Sequence, residues 1–406
     1  MNLLKENRNY RWLFLATMAN RFGDSIDALT SSWLMYTVTR SASASALNFA
    51  INYIPTVFFQ PLCGAWIVHH DPKKVMVTAD TVRTCIVVIL ALLVFTGKIQ
   101  GWMIFVTTFL ISTVEAFRMP CGSIVNVSIL KQEEYSAGAS MMTSASSLVQ
   151  LAGSAAAGVL LSAAGIAFSL CADAFCFALS AFFQTFLHFT CEMKEEEKNK
   201  NTFHLFHEGL QYIRQHRFII TLTAMSVLIN ALTNPISALS SAWCQTIFHK
   251  GAWALSYINV FLSLGLMAGA VIYRKWIEQR TWLKRLIIET YLACALYYLA
   301  WLAGGWLKDS LLFYLVTSVL PFLFGAIISC INIRISVVTL SVVEPDYLSR
   351  VDGILNAAVC AGVPITSLIT SALSALLPLP AVFTIFACLC LLSAFACSFV
   401  KLSKQY

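Results

Sequence analysis

Long, predominantly apolar stretches are the feature that most constrains how this chain can fold. Residues 75–96, 136–164 and 311–333 are each long enough to cross the roughly 30 Å hydrocarbon core of a bilayer as a helix. Charged residues make up 12% of the chain, against about 25% in a typical soluble domain, and the mean hydropathy is +0.74. This composition excludes a large soluble enzyme and predicts an all-α polytopic membrane protein.

Polar breaks between the apolar stretches predict twelve transmembrane helices. The breaks lie near residues 40, 70–74, 97–101, 131–134, 165, 191–217, 250, 274–285, 304–309, 344–350 and 377–380. If the N-terminus is cytoplasmic, the cytoplasmic segments hold about 19 of the 27 lysines and arginines. Because positive residues concentrate in cytoplasmic loops, we predict that both termini lie in the cytoplasm.

The longest polar segment separates six predicted spans from six. We predict an N-terminal six-helix bundle at 1–190, a cytoplasmic linker at 191–216 and a C-terminal six-helix bundle at 217–406. Apolar residues recur at helical spacing in the linker, which predicts an amphipathic helix lying on the membrane surface. These residues are Phe203, Phe206, Leu210 and Ile213.

The two halves share sequence features. The segments "EEYSAGAS", from Glu133, and "EPDYLSRV", from Glu344, each place acidic residues and a tyrosine before a span rich in small residues. Duplicated six-helix halves are typical of transporters that alternate access to a site between the halves.

The segment "GAWIVHHDPKKVMVTADTVR", residues 64–83, is similar to the loop between the second and third helices of the major facilitator superfamily. That loop usually reads G-x-x-x-D-R-x-x-R-K-K followed by A-D-x-x-R, and the matching residues are Gly64, Lys73, Lys74, Ala79, Asp80 and Arg83. The segments "FRMPCGSIVNVSILKQEEYSAGAS", "EGLQYIRQH" and "EPDYLSRVDGILNAA" resemble further landmarks of the macrolide-efflux and siderophore-exporter branch of the drug:proton antiporters. The resemblance covers nearly the whole chain and implies twelve helices in two pseudo-symmetric bundles.

The resemblance also implies a cytoplasmic charge latch, which is a set of charged loop residues that helps to hold the outward-open state of the transporter. Val68 and His69 stand where relatives usually have Asp and Arg, and this departure weakens the latch. A second departure is the fifth-helix motif, usually G-P-x-x-G-G in antiporters, which reads "GSAAAG" at 153–158. The residues expected to contribute to gating are Gly64, Asp71, Lys73, Lys74, Asp80, Arg83, Arg350 and Asp352.

Three charged residues lie inside the first predicted span, in "NRFGDSIDALTSSW". Asp24 lies 12 residues beyond Trp12, or about 18 Å at ~1.5 Å per residue, which is near the membrane midplane. A charge facing lipid costs at least ~2.5 kcal/mol. Arg21, Asp24 and Asp27 are therefore predicted to face a hydrated cavity or another helix. We expect Asp24 to exchange a coupling proton; the alternative is a fixed structural pair between Arg21 and Asp24.

The fourth predicted span contains a second pair, Glu115 and Arg118, at i, i+3 spacing. Arg118 lies toward the cytoplasmic half of the span, from which its side chain is expected to extend to the interface. The resemblance implies a proton-relay arginine two turns earlier, near Ile111; Arg118 either takes over that role or pairs structurally with Glu115. Asp173, in the sixth span, is expected to make a helix-packing contact. The predicted proton-coupling residues are Arg21, Asp24, Asp27, Glu115 and Arg118.

Polar and aromatic residues of other spans are predicted to line a substrate cavity. Mostly apolar walls with a few hydrogen-bonding groups suit a bulky amphiphile better than a sugar or an inorganic ion. Each asparagine in the set has the alternative role of bridging two helices. The predicted lining residues are Asn48, Asn52, Tyr53, Asn230, Asn234, Trp243, Tyr257 and Asn259.

The sequence therefore predicts a monomeric plasma-membrane transporter that exports an amphiphilic small molecule in exchange for protons. No cofactor, metal or nucleic-acid partner is expected. The alternatives are a dedicated exporter of an endogenous metabolite such as a siderophore, a sodium-coupled or passive carrier, and a transport-inactive receptor on the same fold. The sequence contains no HExxH, GxSxG or phosphate-binding-loop motif, which argues against a membrane enzyme.

Overall fold

The computed structural model describes residues 3–66, 70–130, 134–188, 210–273, 283–307, 310–343 and 345–399. Within these residues lie twelve long helices: α1 (Arg8–Thr39), α2 (Ala42–Trp66), α3 (Pro72–Phe95), α4 (Gly101–Ile129), α5 (Tyr135–Ala163), α6 (Gly165–Thr185), α7 (Arg217–Trp243), α8 (Ala252–Ile272), α9 (Leu283–Leu307), α10 (Leu311–Val342), α11 (Pro345–Leu376) and α12 (Leu379–Phe399). A short helix, Leu3–Glu6, precedes α1, and a π-helical turn, Cys244–Phe248, extends α7.

Ten of the helices in the described residues, α3 to α12, are long and apolar enough to cross a membrane. The other two, α1 and α2, have 32 and 25 residues, enough for the roughly 20 residues that a span needs. They are more polar because α1 contains five charged residues, three of them in its middle, and α2 contains Asn48 and Asn52. The prediction of an all-α polytopic fold with twelve helices is confirmed, and the orientation of the termini stays a prediction.

Capping residues and one glycine determine where several helices begin and end. The side chains of Asn7 and Asp71 each accept a hydrogen bond from a backbone N–H in the first turn of α1 and α3. Pro72 begins α3, where no intrahelical partner for its nitrogen is needed. Gly165 has a φ of +83°, which glycine adopts without steric cost. A junction of one residue, Ala164, therefore suffices between α5 and α6.

The described residues belong to two compact units. The first unit comprises Met1–Arg40 and Ile51–Lys200, and the second comprises Ser41–Ala50 and Asn201–Tyr406. The beginning of α2 is therefore part of the second unit, in which Ser371 Oγ donates a 2.9 Å hydrogen bond to the carbonyl oxygen of Ser43. The predicted domain boundaries at 190 and 217 stay a prediction.

Most of the predicted linker helix, including Phe203 and Phe206, lies outside the described residues. Residues 210–215 are helical. Ile213 is buried in an apolar cluster of the second unit, and the helix on the membrane surface stays a prediction. The cluster consists of Tyr212, Ile213, Ile219, Val343 and Val351.

Glycines allow α8 and α10 to pack closely within the second unit. A Cβ atom on Gly265 would overlap the carbonyl oxygen of Phe322, and a Cβ atom on Gly269 would overlap that of Ala326. Small residues permit such backbone approach between membrane helices, where van der Waals packing provides much of the association energy.

Candidate functional site

A network of ion pairs lies inside the first unit. Arg83, on α3, is 2% exposed. Its Nη2 atom lies 2.5 Å from Oδ1 of Asp24, on α1, and its Nη1 atom lies 2.8 Å from Oε2 of Glu115, on α4. Arg21 is farther from Asp24, with 3.7 Å between Nη1 and Oδ2. The strongest partner of Asp24 is therefore Arg83, and the neighbouring Arg21 makes the weaker contact.

The network continues from Glu115 through Arg118 to Asp80. Arg118 Nη1 lies 3.7 Å from Oε1 of Glu115, and Arg118 Nε lies 2.7 Å from Oδ1 of Asp80. Asp80 is fully buried and also accepts hydrogen bonds from Asn20, at 3.4 Å, and from Ser180 and Gln184, both at 2.6 Å. A buried carboxylate requires paired charge and hydrogen bonds to offset its desolvation, and Asp80 has both.

The buried pairing corrects one prediction. Arg118 is buried against Asp80 rather than extending to the cytoplasmic interface. Asp80 and Arg83 contact charged residues of other helices within the first unit. Their part in gating stays a prediction.

Other predicted gating residues have local structural roles at the start of α3. Asp71 caps the helix. The ammonium group of Lys73 donates hydrogen bonds to the carbonyl oxygens of Thr185, at 2.8 Å, and Leu187, at 2.6 Å, at the end of α6. Lys74 is exposed. Three more lie on α2 and α11, and their part in gating stays a prediction: Gly64, Arg350 and Asp352.

Two further carboxyl groups, Asp27 and Asp173, lie beside the network, and neither has an ion pair among the described residues. Asp173, on α6, is 0% exposed, and neither of its carboxyl oxygens has a hydrogen-bond partner in the described part of the chain. The guanidinium carbon of Arg83 lies 3.8 Å from the ring centroid of Phe177, one turn along α6 from Asp173. This geometry is a desolvated cation–π contact.

The charge pattern within the spans did not predict that α6 is part of the network. Asp173, Ser180 and Gln184 occur at i, i+7 and i+11, a spacing that places them on one face of a helix. This polar stripe on an otherwise apolar span was the signal that would have identified these residues. Asn20, one turn before Asp24, had a similar signal.

Two of the predicted lining asparagines bridge helices. Asn234, on α7, donates hydrogen bonds to Ser367 Oγ at 2.6 Å and to the carbonyl oxygen of Val363 at 3.2 Å, both on α11. Asn52, on α2, donates a 2.9 Å hydrogen bond to Ser112 Oγ on α4. Both contacts correspond to the alternative role considered for these residues.

The aromatic members of the predicted lining set are packed in different surroundings. Trp243 is 0% exposed, with ring centroids 4.1 Å from Phe383 and 6.4 Å from Trp301. This packing contradicts the prediction that Trp243 lines a cavity. The indole ring packs against other aromatic rings instead, and burial of its apolar surface stabilises the fold. Tyr257 donates a 3.2 Å hydrogen bond to the carbonyl oxygen of Tyr314. The remaining predicted lining residues are buried or half-buried: Asn48, Tyr53 and Asn259.

A cavity of about 180 Å³ lies between α7, α10 and α11 of the second unit. Asn230, from the predicted set, lines it together with Asn332, which sequence reasoning missed. Drug-sized sites usually measure about 300–1,000 Å³, so this cavity accommodates only part of a bulky molecule. Its other polar lining residues are Thr223, Ser226 and Thr339, and its apolar ones include Leu222, Ile229 and Leu355.

Two relatives show sequence similarity over much of the chain. The chain is 23% identical over 287 residues to the MFS-type transporter YkuC of Bacillus subtilis, an alignment that covers 67% of this chain and 65% of YkuC. It is 21% identical over 277 residues to macrolide efflux protein A of Streptococcus pyogenes, covering 66% of this chain and 68% of that protein. The alignment thus spans slightly less than two thirds of the length of YkuC.

Solved transporter structures share the fold along their whole length. A variant of the nucleoside transporter NupG superposes with a TM-score of 0.81 at 13% identity, covering 96% of this chain and 98% of NupG. An auto-inhibited peptide transporter of the POT family gives a TM-score of 0.72 at 11% identity, covering 98% of both chains. The family model of the Major Facilitator Superfamily matches residues 13–351. Both the sequence match and the shared helical architecture lead to the same conclusion: this chain belongs to the Major Facilitator Superfamily of membrane transporters.

Proposed function

We propose that this protein is a secondary active efflux transporter of the plasma membrane. It exports an amphiphilic small molecule by alternating access, in exchange for protons that move inward. The similarity to macrolide efflux protein A supports a drug-like or otherwise amphiphilic cargo. Membership of a transporter family supports alternating access as the mode of transport.

The observation that carries the proposal is the ion-pair network centred on Arg83. Ionisable groups in the membrane interior are costly and usually belong to substrate or proton pathways. Here a carboxylate that gains a proton no longer attracts its arginine, so the arginine pairs more strongly with another carboxylate. Protonation thereby changes which helices are held together. The residues proposed to take part in coupling are Arg21, Asp24, Asp27, Glu115 and Arg118.

The energy of one proton is sufficient for uphill export. An inward proton provides ~2.3 kcal/mol per 100 mV of membrane potential and ~1.4 kcal/mol per pH unit. A tenfold concentration ratio of the cargo requires ~1.4 kcal/mol. A potential of about 100 mV together with about one pH unit therefore supports a cargo gradient of two to three powers of ten for each proton exchanged.

The cavity of the second unit supports an amphiphilic cargo. Its walls combine aliphatic side chains with the amides of Asn230 and Asn332. The hydroxyl groups of Thr223, Ser226 and Thr339 each donate their one hydrogen to a carbonyl oxygen of their own helix. The amide of Asn230 also donates one hydrogen to its own helix, to the carbonyl oxygen of Ser226 at 3.1 Å, but an amide has a second N–H and an accepting oxygen. The amides of Asn230 and Asn332 are therefore the groups proposed to contact the polar part of the cargo, with the apolar part on the aliphatic walls.

An efflux assay tests the proposal. Efflux-deficient bacteria expressing the protein are loaded with members of a panel of amphiphilic compounds that includes macrolides, and export is followed with and without a protonophore. We expect expression to lower accumulation of at least one compound and the protonophore to abolish this effect. Asp24→Asn is expected to lose gradient-driven export, because Arg83 loses a charged partner, while still exchanging labelled for unlabelled cargo.

The outcomes separate the alternatives. Export that continues unchanged after the proton gradient collapses would contradict proton coupling, and dependence on sodium would replace it. Export confined to a compound made by the host cell would favour a dedicated metabolite exporter. Absence of any flux in proteoliposomes across the panel would favour a transport-inactive receptor.

A further inference from the structure

We propose that Asp173 is a proton-binding site, which is neutral in this structure and becomes a partner of Arg83 when it loses its proton. The inference rests on the proposed function and deepens it, because it identifies where the coupling proton is held. Four observations support it: the charge balance of the network, the burial of Asp173, its position at a tight helix contact and an unused donor on Arg83.

When the arginines and carboxylates of the network are paired, two further carboxyl groups in the described part of the chain have no cation to balance them. Among the described residues, the connected ion pairs join three arginines to three carboxylates, so this set is electrically neutral. Its members are Arg21, Arg83, Arg118, Asp24, Asp80 and Glu115. Asp27 and Asp173 are additional, and both would be uncompensated negative charges if ionised. Asp27 is half-buried, whereas Asp173 is fully buried, so the cost of ionisation is greater for Asp173.

Asp173 lies where α1 and α6 are in close contact. A Cβ atom added to Gly23 would lie 3.0 Å from Oδ1 of Asp173 and 3.0 Å from Cβ of Cys176. The absence of a side chain at Gly23 thus permits the contact on that side of the carboxyl group. A buried carboxylate without a hydrogen-bond donor or an ion pair is unfavourable, whereas the neutral acid is tolerated.

The charged and titratable groups near Asp173 come from three helices. Asp24 and Asp27 on α1 repel a charge on Asp173, and Arg83 on α3 attracts it. Cys176 lies beside it on α6 itself, and α5, which also packs against α6, contains no Asp, Glu, His, Lys or Arg. Arg83 is therefore the cation available to compensate an ionised Asp173.

Arg83 has an N–H donor that is available to an ionised Asp173. Its two terminal nitrogens are used by Asp24 and Glu115, but its buried Nε–H has no hydrogen-bond partner among the described residues. Its guanidinium group already lies over Phe177, one turn from Asp173. The contact with Phe177 thus places an unpaired buried donor one helical turn, along α6, from the residue that carries an unpaired buried acid.

These positions suggest how proton loss changes the network. The O–H bond of the Asp173 carboxyl group breaks, the proton passes to water or to the half-buried Asp27, and the electron pair remains on Asp173. The resulting carboxylate attracts Arg83, which weakens the bonds from Arg83 to Asp24 and Glu115. Loss of the proton thereby loosens the link that joins α1, α3 and α4.

Infrared spectroscopy of the purified full-length protein tests the proton directly, because a neutral carboxyl group and a carboxylate absorb at different frequencies. We expect the wild-type minus Asp173→Asn difference spectrum to contain a neutral-carboxyl band at pH 7 that disappears at higher pH. A difference spectrum with only carboxylate bands at every pH would overturn the proposal. Glu289→Gln is the control; this exposed residue pairs with Arg285 on α9 and is expected to remove a carboxylate band only.

Folding of the variant is informative as well. An asparagine closely resembles a neutral aspartic acid, so Asp173→Asn is expected to unfold at the wild-type temperature or above it at pH 7. A variant that fails to fold would contradict a neutral Asp173, because it would show that the charge is required.

Transport by proteoliposomes tests the coupling role. A gradient of one pH unit supports about tenfold accumulation of cargo for each proton exchanged, and Asp173→Asn is expected to lose this accumulation. Full accumulation by the variant would overturn the coupling role of Asp173. Absence of pH-driven flux in the wild-type protein would instead overturn the proposed function, and the infrared result would then decide whether Asp173 binds a proton.

Discussion

Arg83 bonds to carboxylates on two other helices and lies over an aromatic ring on a third. At the residue scale, such a group stabilises the fold only as long as all its partners are present. Removing one partner of a buried ion pair usually costs about 3–5 kcal/mol, because the other charge stays buried without compensation. An exposed ion pair contributes at most about 1 kcal/mol, since water already solvates both of its members.

Asp80→Asn tests this difference. The amide retains the size of the carboxyl group but removes the charge that lies 2.7 Å from Nε of Arg118. We expect the unfolding temperature of the detergent-purified variant to fall by several degrees, corresponding to a loss of about 3 kcal/mol.

Glu289→Gln provides the matched comparison, because it removes a carboxylate from an exposed pair whose side chains are 63% and 43% exposed. Its unfolding temperature is expected to stay within about one degree of the wild-type value. Equal shifts in the two variants would show that the buried pairs contribute no more than surface ones.

At the element scale, two kinds of helix contact occur in the two units. In the first unit, α1, α3, α4 and α6 are joined by charged and polar side chains around Arg83 and Asp80. In the second unit, α8 and α10 are joined by backbone contact at Gly265 and Gly269. Under the proposed function, the polar contacts respond to protonation, whereas the glycine contacts depend on shape alone and are expected to stay closed during transport.

Gly269→Ala tests the glycine contact. The new methyl group would overlap the carbonyl oxygen of Ala326 and lie 2.8 Å from Cβ of Ser329. Because backbone atoms cannot move aside cheaply, we expect a destabilisation of about 1–3 kcal/mol, seen as a lower unfolding temperature and lower expression.

Gly122→Ala, on α4, is the control for the same chemical change, because a Cβ atom there has no neighbour within 4 Å. Alanine also has the higher helix propensity, so this variant is expected to be neutral or slightly stabilised. A loss in Gly122→Ala as large as in Gly269→Ala would argue against close packing as the cause.

At the scale of the whole molecule, the ion-pair network and the polar cavity belong to different units. The network lies in the first unit and the cavity in the second. Under the proposed function, variants of the network are expected to alter the dependence of export on the proton gradient. Variants of the cavity are expected to alter the affinity for cargo.

Asn230→Ala tests this division. Loss of one hydrogen bond to the cargo is expected to raise the KM for export about fivefold, corresponding to about 1 kcal/mol, with an unchanged dependence of the rate on pH. Asn332→Ala, which alters a lining residue on α10, is expected to behave similarly.

Thr384→Ala, which alters an exposed position of α12, serves as the control and is expected to leave KM unchanged. A change in pH dependence in Asn230→Ala, or an unchanged KM in both cavity variants, would contradict the proposed division between the two units.

The sequence by itself determined the fold class and the number of long helices. A span in hydrocarbon must satisfy its backbone hydrogen bonds internally, so about 20 apolar residues bounded by polar breaks have essentially one structure available, the helix. The polar character of α1 also indicated, before any contact was known, that Arg21, Asp24 and Asp27 face other helices or water, because a charge facing lipid is costly.

The tertiary structure alone decided which charges meet. Spacing within one helix suggested the pairs Arg21–Asp24 and Glu115–Arg118, and both are present at 3.7 Å. The shorter contacts join residues on different helices: Arg83 meets Asp24 across 59 positions of the chain and Glu115 across 32. Helical periodicity specifies which face a residue occupies but not which helix lies opposite that face. The partners of Arg83, and the isolation of Asp173 beside it, therefore depend on how the helices of the first unit pack.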